Sequence, residues 1–261
     1  MMAAVPIPKT NNVIEFVVIK GGDSKKEEVR YNLDGSVDKR CPNKVAGVSS
    51  EVYPFTTENE IELMINLFNI RINEAPTPTK RQIACRNKMM FLVGINVGLR
   101  ASDLITLKWN FFFDDNGRFK DFYTLQPKKT RKQKKFVKLF FNQAVKKAIT
   151  DYIEEYPIQD MNEYLFKSRQ GDSYITEISL GRIIKDAAKE VGIEKNICSH
   201  SLRKTFGFWA WHNADDKGKA LVTLQMLFNH SDSMTTLKYI GILNSEIEDM
   251  FNSVDLGLEY I

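Results

Sequence analysis

The sequence predicts a mixed, mainly α-helical fold: a helical domain with a small three-stranded antiparallel sheet, preceded by a short β-like extension. Apolar residues recur at helical spacing in most segments after residue 54. Short runs rich in β-branched and aromatic residues occur near the start of the chain and between residues 109 and 140. With 43% hydrophobic and 27% charged residues, the 261-residue chain has an ordinary globular composition and can bury a full core.

Residues 1–54 are predicted to be an extension that contains a β-hairpin and a linker. Val13–Lys20 and Glu28–Leu33 favour strands on either side of a polar loop. Asp38–Ser50 is typical of a linker. The alternative is a disordered arm with strand-like pieces, and the pattern indicates no function for it.

Two helices are predicted to begin the larger domain, residues 55–261. Thr57 and Glu60 fit a capping box, in which each side chain accepts a hydrogen bond from the other residue's backbone. An apolar stripe at helical spacing follows, formed by Ile61, Met64, Ile65, Phe68 and Ile72. The second helix is predicted over Lys80–Val97, ending at Gly98, because glycine is favoured just past a helix.

Arg100 lies in the turn that follows this second helix. An arginine there either clamps backbone carbonyls or presents its guanidinium to an anion from a rigid turn. Asp103 is expected to orient Arg100 by a charge-assisted hydrogen bond. The turn alone leaves both alternatives open.

The three strands of the small sheet are predicted over Trp109–Phe113, Lys120–Gln126 and Lys135–Phe140. Asp114–Gly117 marks the turn between the first two strands. A basic loop, PKKTRKQK, joins the second strand to the third.

Positive charge is concentrated in this part of the chain. The formal net charge is only +4, yet residues 122–150 contain nine Lys or Arg and no Asp or Glu. Such a segment on a nearly neutral protein indicates a polyanion partner such as nucleic acid. The predicted DNA-contacting residues of the loop are Lys128, Arg131, Lys132, Lys134 and Lys135. The alternative is a solvated loop without a partner.

Six further helices are predicted by apolar periodicity and capping residues. They cover Asn142–Glu155, Ser179–Val191, Leu202–His212, Ala220–Phe228, Thr235–Ile240 and Ser245–Ser253. All three histidines lie between Ser199 and Tyr239. His200 and Arg203 share a helix face, which suits oxyanion binding and proton transfer, although a core helix with a polar edge has the same pattern.

Several classes of protein are not indicated. The three cysteines, Cys41, Cys85 and Cys198, are odd in number and lack CxxC spacing, so neither a disulfide framework nor a zinc site is expected. No run of about 18 apolar residues predicts a membrane span. The N-terminus lacks a signal-peptide pattern, so a cytoplasmic location is expected.

Four motifs, in their order along the chain, resemble the tyrosine recombinase (phage integrase) family. They are GLRASDLITLKW, PKKTRK, HSLRKTF and FNHSDSMTTLKY. The resemblance covers the chain from Val52 onward, about four-fifths of its length. It implies the tyrosine recombinase catalytic fold and a site-specific recombinase or integrase of phages and mobile elements. It also implies cleavage and rejoining of double-stranded DNA without metal or ATP, because the bond energy is retained in a covalent intermediate.

The resemblance implies that Tyr239 attacks a DNA phosphodiester, leaving a 3′-phosphotyrosine and a free 5′-hydroxyl. Arg100 and Arg203 would grip the non-bridging oxygens of that phosphate. Guanidinium forks suit this task because negative charge gathers on those oxygens in the transition state. A phenol, whose reference pKa is near 10, needs help to become a nucleophile.

The remaining implied roles concern protons and hydrogen bonds. Lys129 would protonate the departing 5′-oxygen, with Lys128 as the alternative. His200 would accept the tyrosine proton or hold the phosphate, and His230 would donate a hydrogen bond to it. His212 has no role in the family pattern and is expected to be structural.

The chain departs from the family pattern in two places. Asn229 precedes His230, where the family usually has glycine. Residues 1–54 are too short, and too strand-like, for the helical domain with which full-length members clamp the far face of DNA. Three alternatives follow: the clamp is replaced, the chain acts as a catalytic domain with unusual DNA engagement, or the sequence is a piece of a longer protein.

Two other functions and one mode of assembly stay open at this level. The same residues fit type IB topoisomerase-like relaxation, and the chain could also be a DNA-binding accessory protein with an inactive site. Related recombinases often pass the segment after the tyrosine to a neighbouring protomer. The apolar stripe of the Ser245–Ser253 helix fits such exchange in a homo-oligomer on DNA, and it fits packing within one chain equally well.

Overall fold

The computed structural model describes residues 14–16, 29–31, 51–128, 136–169, 171–242, 250–251 and 253–254. The chain forms two compact units, Met1–Glu51 and Val52–Ile261. In the first unit, β1 (Ile14–Phe16) pairs with β2 (Val29–Tyr31) in antiparallel register, with Ile14 opposite Tyr31. These two strands confirm the strand predictions near the start of the chain.

The second unit is mainly helical and begins with two packed helices. Helix α1 spans Glu58–Asn73 and starts with the predicted capping box between Thr57 and Glu60. Helix α2 spans Pro78–Val97 and ends at Gly98, whose φ of 63° is left-handed. A Cβ at Gly98 would also lie 2.4 Å from the ring of Phe206, so both the backbone and the packing require glycine here.

The small sheet has two strands in the described residues, where the sequence predicted three. Strand β3 (Phe122–Leu125) pairs antiparallel with β4 (Val137–Phe140). The predicted strand Trp109–Phe113 is wrong, because Trp109–Phe111 forms a 3₁₀ turn. The buried side chains are Trp109, Phe112 and Phe113, whose spacing is that of a helix. A short apolar run is compatible with a strand and with a helical turn, so the sequence alone did not distinguish them.

The other helices confirm the sequence predictions, with ends that differ by a few residues. A one-turn helix, α3 (Ala101–Leu104), follows α2. Helix α4 packs against α2, α5 packs against α6, and α6 packs against α7 and α8. The bounds are Gln143–Glu155 for α4, Glu177–Glu190 for α5, Ser199–His212 for α6, Lys217–Phe228 for α7 and Ser233–Ile240 for α8. Most of the predicted helix Ser245–Ser253 lies outside the described residues.

The buried apolar residues form two clusters. The larger one contains residues of α1 to α6 and of the small sheet. The smaller one contains Leu224, Phe228, Ile240 and Ile242, and the partly buried ring of Tyr239 packs against it. The segment that contains Tyr239 therefore has a core of its own at one end of the domain.

Three features of the described residues concern metal sites, disulfides and membrane-spanning helices. In the described part of the chain, no three His, Cys, Asp or Glu side chains are grouped so that they could hold a metal ion. Cys85 and Cys198 are free thiols at partly buried positions. None of the described helices is both long and apolar enough to cross a bilayer.

Candidate active site

Two arginines from distant parts of the chain converge on one backbone oxygen. Arg100, in the turn between α2 and α3, donates from Nη2 to the carbonyl oxygen of Phe228 at 3.2 Å. Arg203, on α6, donates to the same oxygen at 3.4 Å and to the carbonyl of Gly98 at 2.6 Å. Phe228 ends α7, and the last carbonyls of a helix have partial negative charge. The two guanidiniums are therefore held at one point by a helix terminus.

This geometry shows the first of the two alternatives for Arg100. Its guanidinium clamps a carbonyl, and it does so beside a second guanidinium that is spaced to share one oxygen. Arg203 is only 5% exposed, and its guanidinium lies 4.3 Å from the centroid of the Phe228 ring. Burial lowers the pKa of Arg203 to about 10, and repulsion from Arg100 adds to this, whereas Tyr239 opposes it. Such a pair favours an anion that would offset the two positive charges.

Tyr239 lies beside the arginine pair on α8. Its ring packs edge-on against Phe228, with centroids 5.4 Å apart, and against His230 at 5.0 Å. Burial raises the pKa of Tyr239, while the charges of Arg203 and Arg100 and a hydrogen bond with Arg203 lower it. The phenol therefore keeps its proton unless a base removes it, and the nearby cations stabilise the phenolate that results.

The two histidines of the candidate site favour the neutral form. His230 has its Nδ1 3.1 Å from the hydroxyl of Thr236, which is fully buried. Burial is the main cause that lowers the pKa of His230, and Arg203 and Arg100 add to it. His200 keeps solvent access, but the protein atoms around its ring partly desolvate it and lower its pKa, an effect that Glu177 opposes. A neutral imidazole can accept a proton, as the role implied for His200 requires.

Asp103 does not orient Arg100 as the sequence predicted. Its Oδ1 accepts a hydrogen bond from the backbone N–H of Lys128 at 2.9 Å, and among the described residues its Oδ2 has no hydrogen-bond partner. Arg100 instead donates a hydrogen bond to a carbonyl of α7, so the two side chains of this turn bind different parts of the chain. Asp103 thereby connects the Arg100 turn to the start of the basic loop.

Of the basic loop, Pro127 and Lys128 are the two residues that lie within the described part of the chain. The Nζ of Lys128 lies 3.4 Å from the hydroxyl of Tyr174 and 5.0 Å from the centroid of its ring. Its side chain is thus engaged outside the arginine pair. The other basic residues predicted to act here lie outside the described residues; they are Lys129, Arg131, Lys132, Lys134 and Lys135.

Lys204, to which no sequence motif gave a role, lies next to Tyr239 in the structure. Its side chain is buried, and its Nζ lies 5.2 Å from the centroid of the Tyr239 ring. The available signal was a lysine between two apolar residues, Leu202 and Phe206, in the middle of a helix. His212 stacks on the ring of Phe208 with centroids 5.5 Å apart and lies outside this group, in keeping with a structural role.

Asn229 makes the tight connection between α7 and α8. Its φ of 55° and ψ of 51° are left-handed, and among the described residues it is the one non-glycine with positive φ. Asparagine tolerates this conformation better than most residues do. The chain therefore makes a left-handed turn with asparagine at the position where glycine was expected, and His230 follows it directly.

The fold and this group of side chains define a class of protein. A mainly helical domain with a small antiparallel sheet, in which two arginines meet at one oxygen near a histidine and a tyrosine, is typical of tyrosine recombinases. Members of that class cleave and rejoin DNA strands.

Two solved structures have a similar fold. XerA recombinase superimposes with a TM-score of 0.54 at 20% identity, covering 81% of this chain and 67% of its own. The site-specific recombinase XerH, in a complex with its difH substrate, gives a TM-score of 0.51 at 18% identity, covering 79% of this chain and 56% of its own. At these identities the likeness establishes the fold.

Sequence comparison identifies the family. The probable integrase/recombinase YoeC of Bacillus subtilis (strain 168) is 34% identical over 176 residues, which cover 66% of this chain and 88% of YoeC. The tyrosine recombinase XerD of Listeria monocytogenes serotype 4b (strain F2365) is 25% identical over 193 residues, and the match spans 61% of its length. The model of the phage integrase family matches residues 54–246. The chain belongs to the phage integrase family of tyrosine recombinases.

Proposed function

We propose that this protein is a site-specific DNA recombinase that cuts and rejoins DNA strands through a covalent bond to Tyr239. The observation that carries the proposal is the convergence of Arg100 and Arg203 on one oxygen, beside the tyrosine ring. Membership of the phage integrase family supports the same reaction. The XerH structure, which has the same fold, contains a DNA substrate.

In the proposed step, Oη of Tyr239 attacks the phosphorus of a DNA phosphodiester and the bond from phosphorus to O5′ breaks. The products are a 3′-phosphotyrosine and a free 5′-hydroxyl. The proton of the phenol passes to His200, and Lys129 or Lys128 supplies a proton to the departing O5′. Attack by a 5′-hydroxyl of another strand on the phosphotyrosine then restores the phosphodiester and releases the enzyme, so the reaction needs no ATP.

The proposed task of Arg100 and Arg203 is to stabilise the charge that gathers on the non-bridging oxygens. A phosphate oxygen competes with the carbonyl of Phe228 for the same donors, and it forms stronger hydrogen bonds because it is charged. His230, held by Thr236, donates a further hydrogen bond to the phosphate. Because fixed guanidiniums supply the electrostatic stabilisation, the proposed step needs no metal ion.

A nicked suicide DNA substrate tests the proposal. Incubated with the protein in EDTA, it is expected to trap a covalent protein–DNA adduct. Tyr239→Phe should abolish the adduct while leaving DNA binding nearly unchanged. Tyr156→Phe is the matched control, because the Tyr156 hydroxyl bonds Glu155 at the end of α4 and is expected to have no part in cleavage. An adduct that persists in Tyr239→Phe would assign the nucleophile to another residue, and plasmid relaxation without strand exchange would assign a type IB topoisomerase-like activity.

We propose that the basic loop between β3 and β4 binds the DNA backbone. Asp103 binds the backbone of Lys128 and so fixes the start of this loop next to the Arg100 turn. Neutralising its Lys and Arg residues should weaken binding and reduce the slope of log K against log salt by about 0.9 for each phosphate that the loop no longer neutralises. An unchanged slope would show that the loop does not bind DNA phosphates.

We propose that copies of the protein assemble on DNA by exchanging the segment that follows Tyr239. In this segment Met250, Phe251 and Val254 are 59%, 73% and 61% exposed, so their apolar side chains are available to a partner. Met226 on α7 and Met234 on α8 are also largely exposed. Removing residues 244–261 should abolish assembly on DNA, as measured by size-exclusion chromatography with light scattering. Unchanged assembly would refute the exchange.

A further inference from the structure

We propose that the outward face of the β3–β4 sheet binds unpaired bases of DNA by stacking them on exposed phenylalanine rings. This inference rests on the proposed function, in which a cut strand is joined to another strand. The rings belong to Phe122 on β3, Phe140 on β4 and Phe136 just before β4, and they are 43%, 64% and 62% exposed. Together with Lys138 on β4, these residues form what we call the aromatic face.

The alternation of side chains along the strands explains why this face is exposed. Phe122 pairs directly with Phe140 across the two strands, and their ring centroids are 6.0 Å apart. Lys138 lies two residues before Phe140, on the same side of the sheet, whereas Leu139 between them is buried in the core. Phe136 continues this alternation two residues before Lys138. The core therefore uses one side of the sheet, and the aromatic face is left to solvent.

Lys138 places a positive charge in the middle of the aromatic face. Its Nζ lies 3.6 Å from the centroid of the Phe122 ring and 5.2 Å from that of Phe140. The basic loop leads directly into this strand, and residues 128–138 contain seven Lys or Arg and no Asp or Glu. A nearby phosphate would draw the ammonium off the rings, because a full negative charge attracts it more strongly than a ring quadrupole does. The face thus offers flat aromatic surface with a cation in reach of a phosphate.

The composition of the aromatic face favours nucleic acid over protein as its partner. Clustered apolar side chains on a surface mark interaction sites. Protein–protein interfaces are depleted in lysine, whereas surfaces that bind single-stranded nucleic acid combine positive charge with exposed aromatic rings. Every base has a flat π-face, so stacking on phenylalanine does not require a particular sequence. The lysine among the rings and the basic loop beside them therefore point to nucleic acid.

Unpaired bases fit this surface better than a duplex does. In duplex DNA the bases are stacked on one another, and a protein reaches only their edges through the grooves. The proposed reaction creates unpaired bases, because a cut strand must leave its partner before its 5′-hydroxyl attacks elsewhere. Strand β3 ends at Leu125, and Lys128 soon after it is bound through its backbone to Asp103 of the Arg100 turn. The bases next to the cut are therefore the ones that this face would hold.

Equilibrium binding to two DNA molecules tests the inference. Fluorescence anisotropy compares a labelled duplex with the same duplex carrying a short mismatched, unpaired stretch at its centre. Tyr239→Phe serves as the background, so that neither DNA is cut. This protein should bind the mismatched DNA more tightly than the duplex. Phe122→Ala and Phe140→Ala should each weaken binding to the mismatched DNA about tenfold, as the loss of one stacked base does, and leave binding to the duplex unchanged.

Two further substitutions separate stacking from general apolar contact. Phe140→Leu keeps an apolar side chain without the ring, so it should weaken binding as much as Phe140→Ala does, whereas Phe140→Trp should retain it. Ile178→Ala is the matched control, because Ile178 on α5 is also largely exposed and lies outside the sheet. It should leave both affinities unchanged. Since all these positions are exposed, the urea midpoints should stay at that of the Tyr239→Phe protein.

The outcomes separate this inference from the proposed function. Equal affinity of the Tyr239→Phe protein for the two DNAs, or equal losses on both DNAs in the variants, would refute stacking on unpaired bases. Undiminished binding by Phe140→Leu would refute it as well, because the ring would then not matter. Altered self-association with unchanged DNA binding would assign the aromatic face to a second copy of this chain and overturn the proposal. If the nicked substrate gives no covalent adduct, the proposed function is wrong, and the affinity for mismatched DNA still decides this inference.

Discussion

Gly207→Ala should damage the candidate site without touching any residue proposed to act in it. Gly207 lies on α6 where it faces the end of α7 and of α8. A Cβ at this position would lie 2.6 Å from Cγ2 of Ile240 and 2.8 Å from Cε2 of Phe228, and both residues are fully buried. Ile240 follows Tyr239 directly, and the carbonyl of Phe228 is the oxygen that both arginines bind. The added methyl group therefore displaces the two elements that position the tyrosine and the arginine pair.

The free energy of unfolding should change only moderately. Alanine gains about 1 kcal/mol over glycine in a helix interior. Overpacking a filled core costs about 1–3 kcal/mol. We expect a net loss of about 1 kcal/mol, obtained by subtracting the first effect from the second. Cleavage should suffer more, because a displacement of about 1 Å of a reacting group can lower a rate about 100-fold.

Urea unfolding and single-turnover adduct formation measure the two effects. Gly181→Ala is the matched control, since Gly181 also lies within a helix, α5, and its Cβ would meet nothing closer than 3.9 Å. This control should gain about 0.5–1 kcal/mol of stability and cleave at the normal rate. The reasoning is refuted if Gly207→Ala is stabilised as much as Gly181→Ala and cleaves equally fast.

Three further predictions concern the backbone, the arginine pair and pH. Asn229→Gly should be about 1 kcal/mol more stable than Asn229→Ala, because both lack the amide side chain and differ mainly in tolerance of the left-handed backbone; equal urea midpoints would contradict this. Arg203→Lys should lower the free energy of unfolding by about 1–2 kcal/mol, because a single ammonium cannot reproduce the hydrogen bonds to the carbonyls of Gly98 and Phe228. Unchanged stability would show that the forked guanidinium of Arg203 is not needed for folding. The pKa values of His200 and His230 are lowered by burial and by the arginines, so both histidines stay neutral down to a lower pH than a free histidine does. The value of kcat/KM for cleavage should therefore stay constant as the pH falls to about 6.5 and decline only below it. A decline that begins above that pH would show that the histidine pKa values are not lowered.

Local chemistry in the sequence was sufficient for most of the helical elements. The capping box at Thr57 and the glycine after α2 are short-range signals, and the structure contains both. The strand predicted over Trp109–Phe113 failed for a local reason as well, because five mostly apolar residues fit either period. The choice between a strand and a 3₁₀ turn depends on which of these rings pack into the core, and distant residues determine that packing.

The sequence by itself determined the family and the residue types of the candidate site, because the motifs follow one another in a recognisable order. Only the tertiary structure decided how those residues meet. Arg100 and Phe228 are 128 positions apart and share a hydrogen bond because α6 packs against both α2 and α7. The same packing turned Asp103 towards the basic loop and brought Lys204 against Tyr239. Motifs specify which side chains are present, whereas burial and charge at close range specify what each one can do.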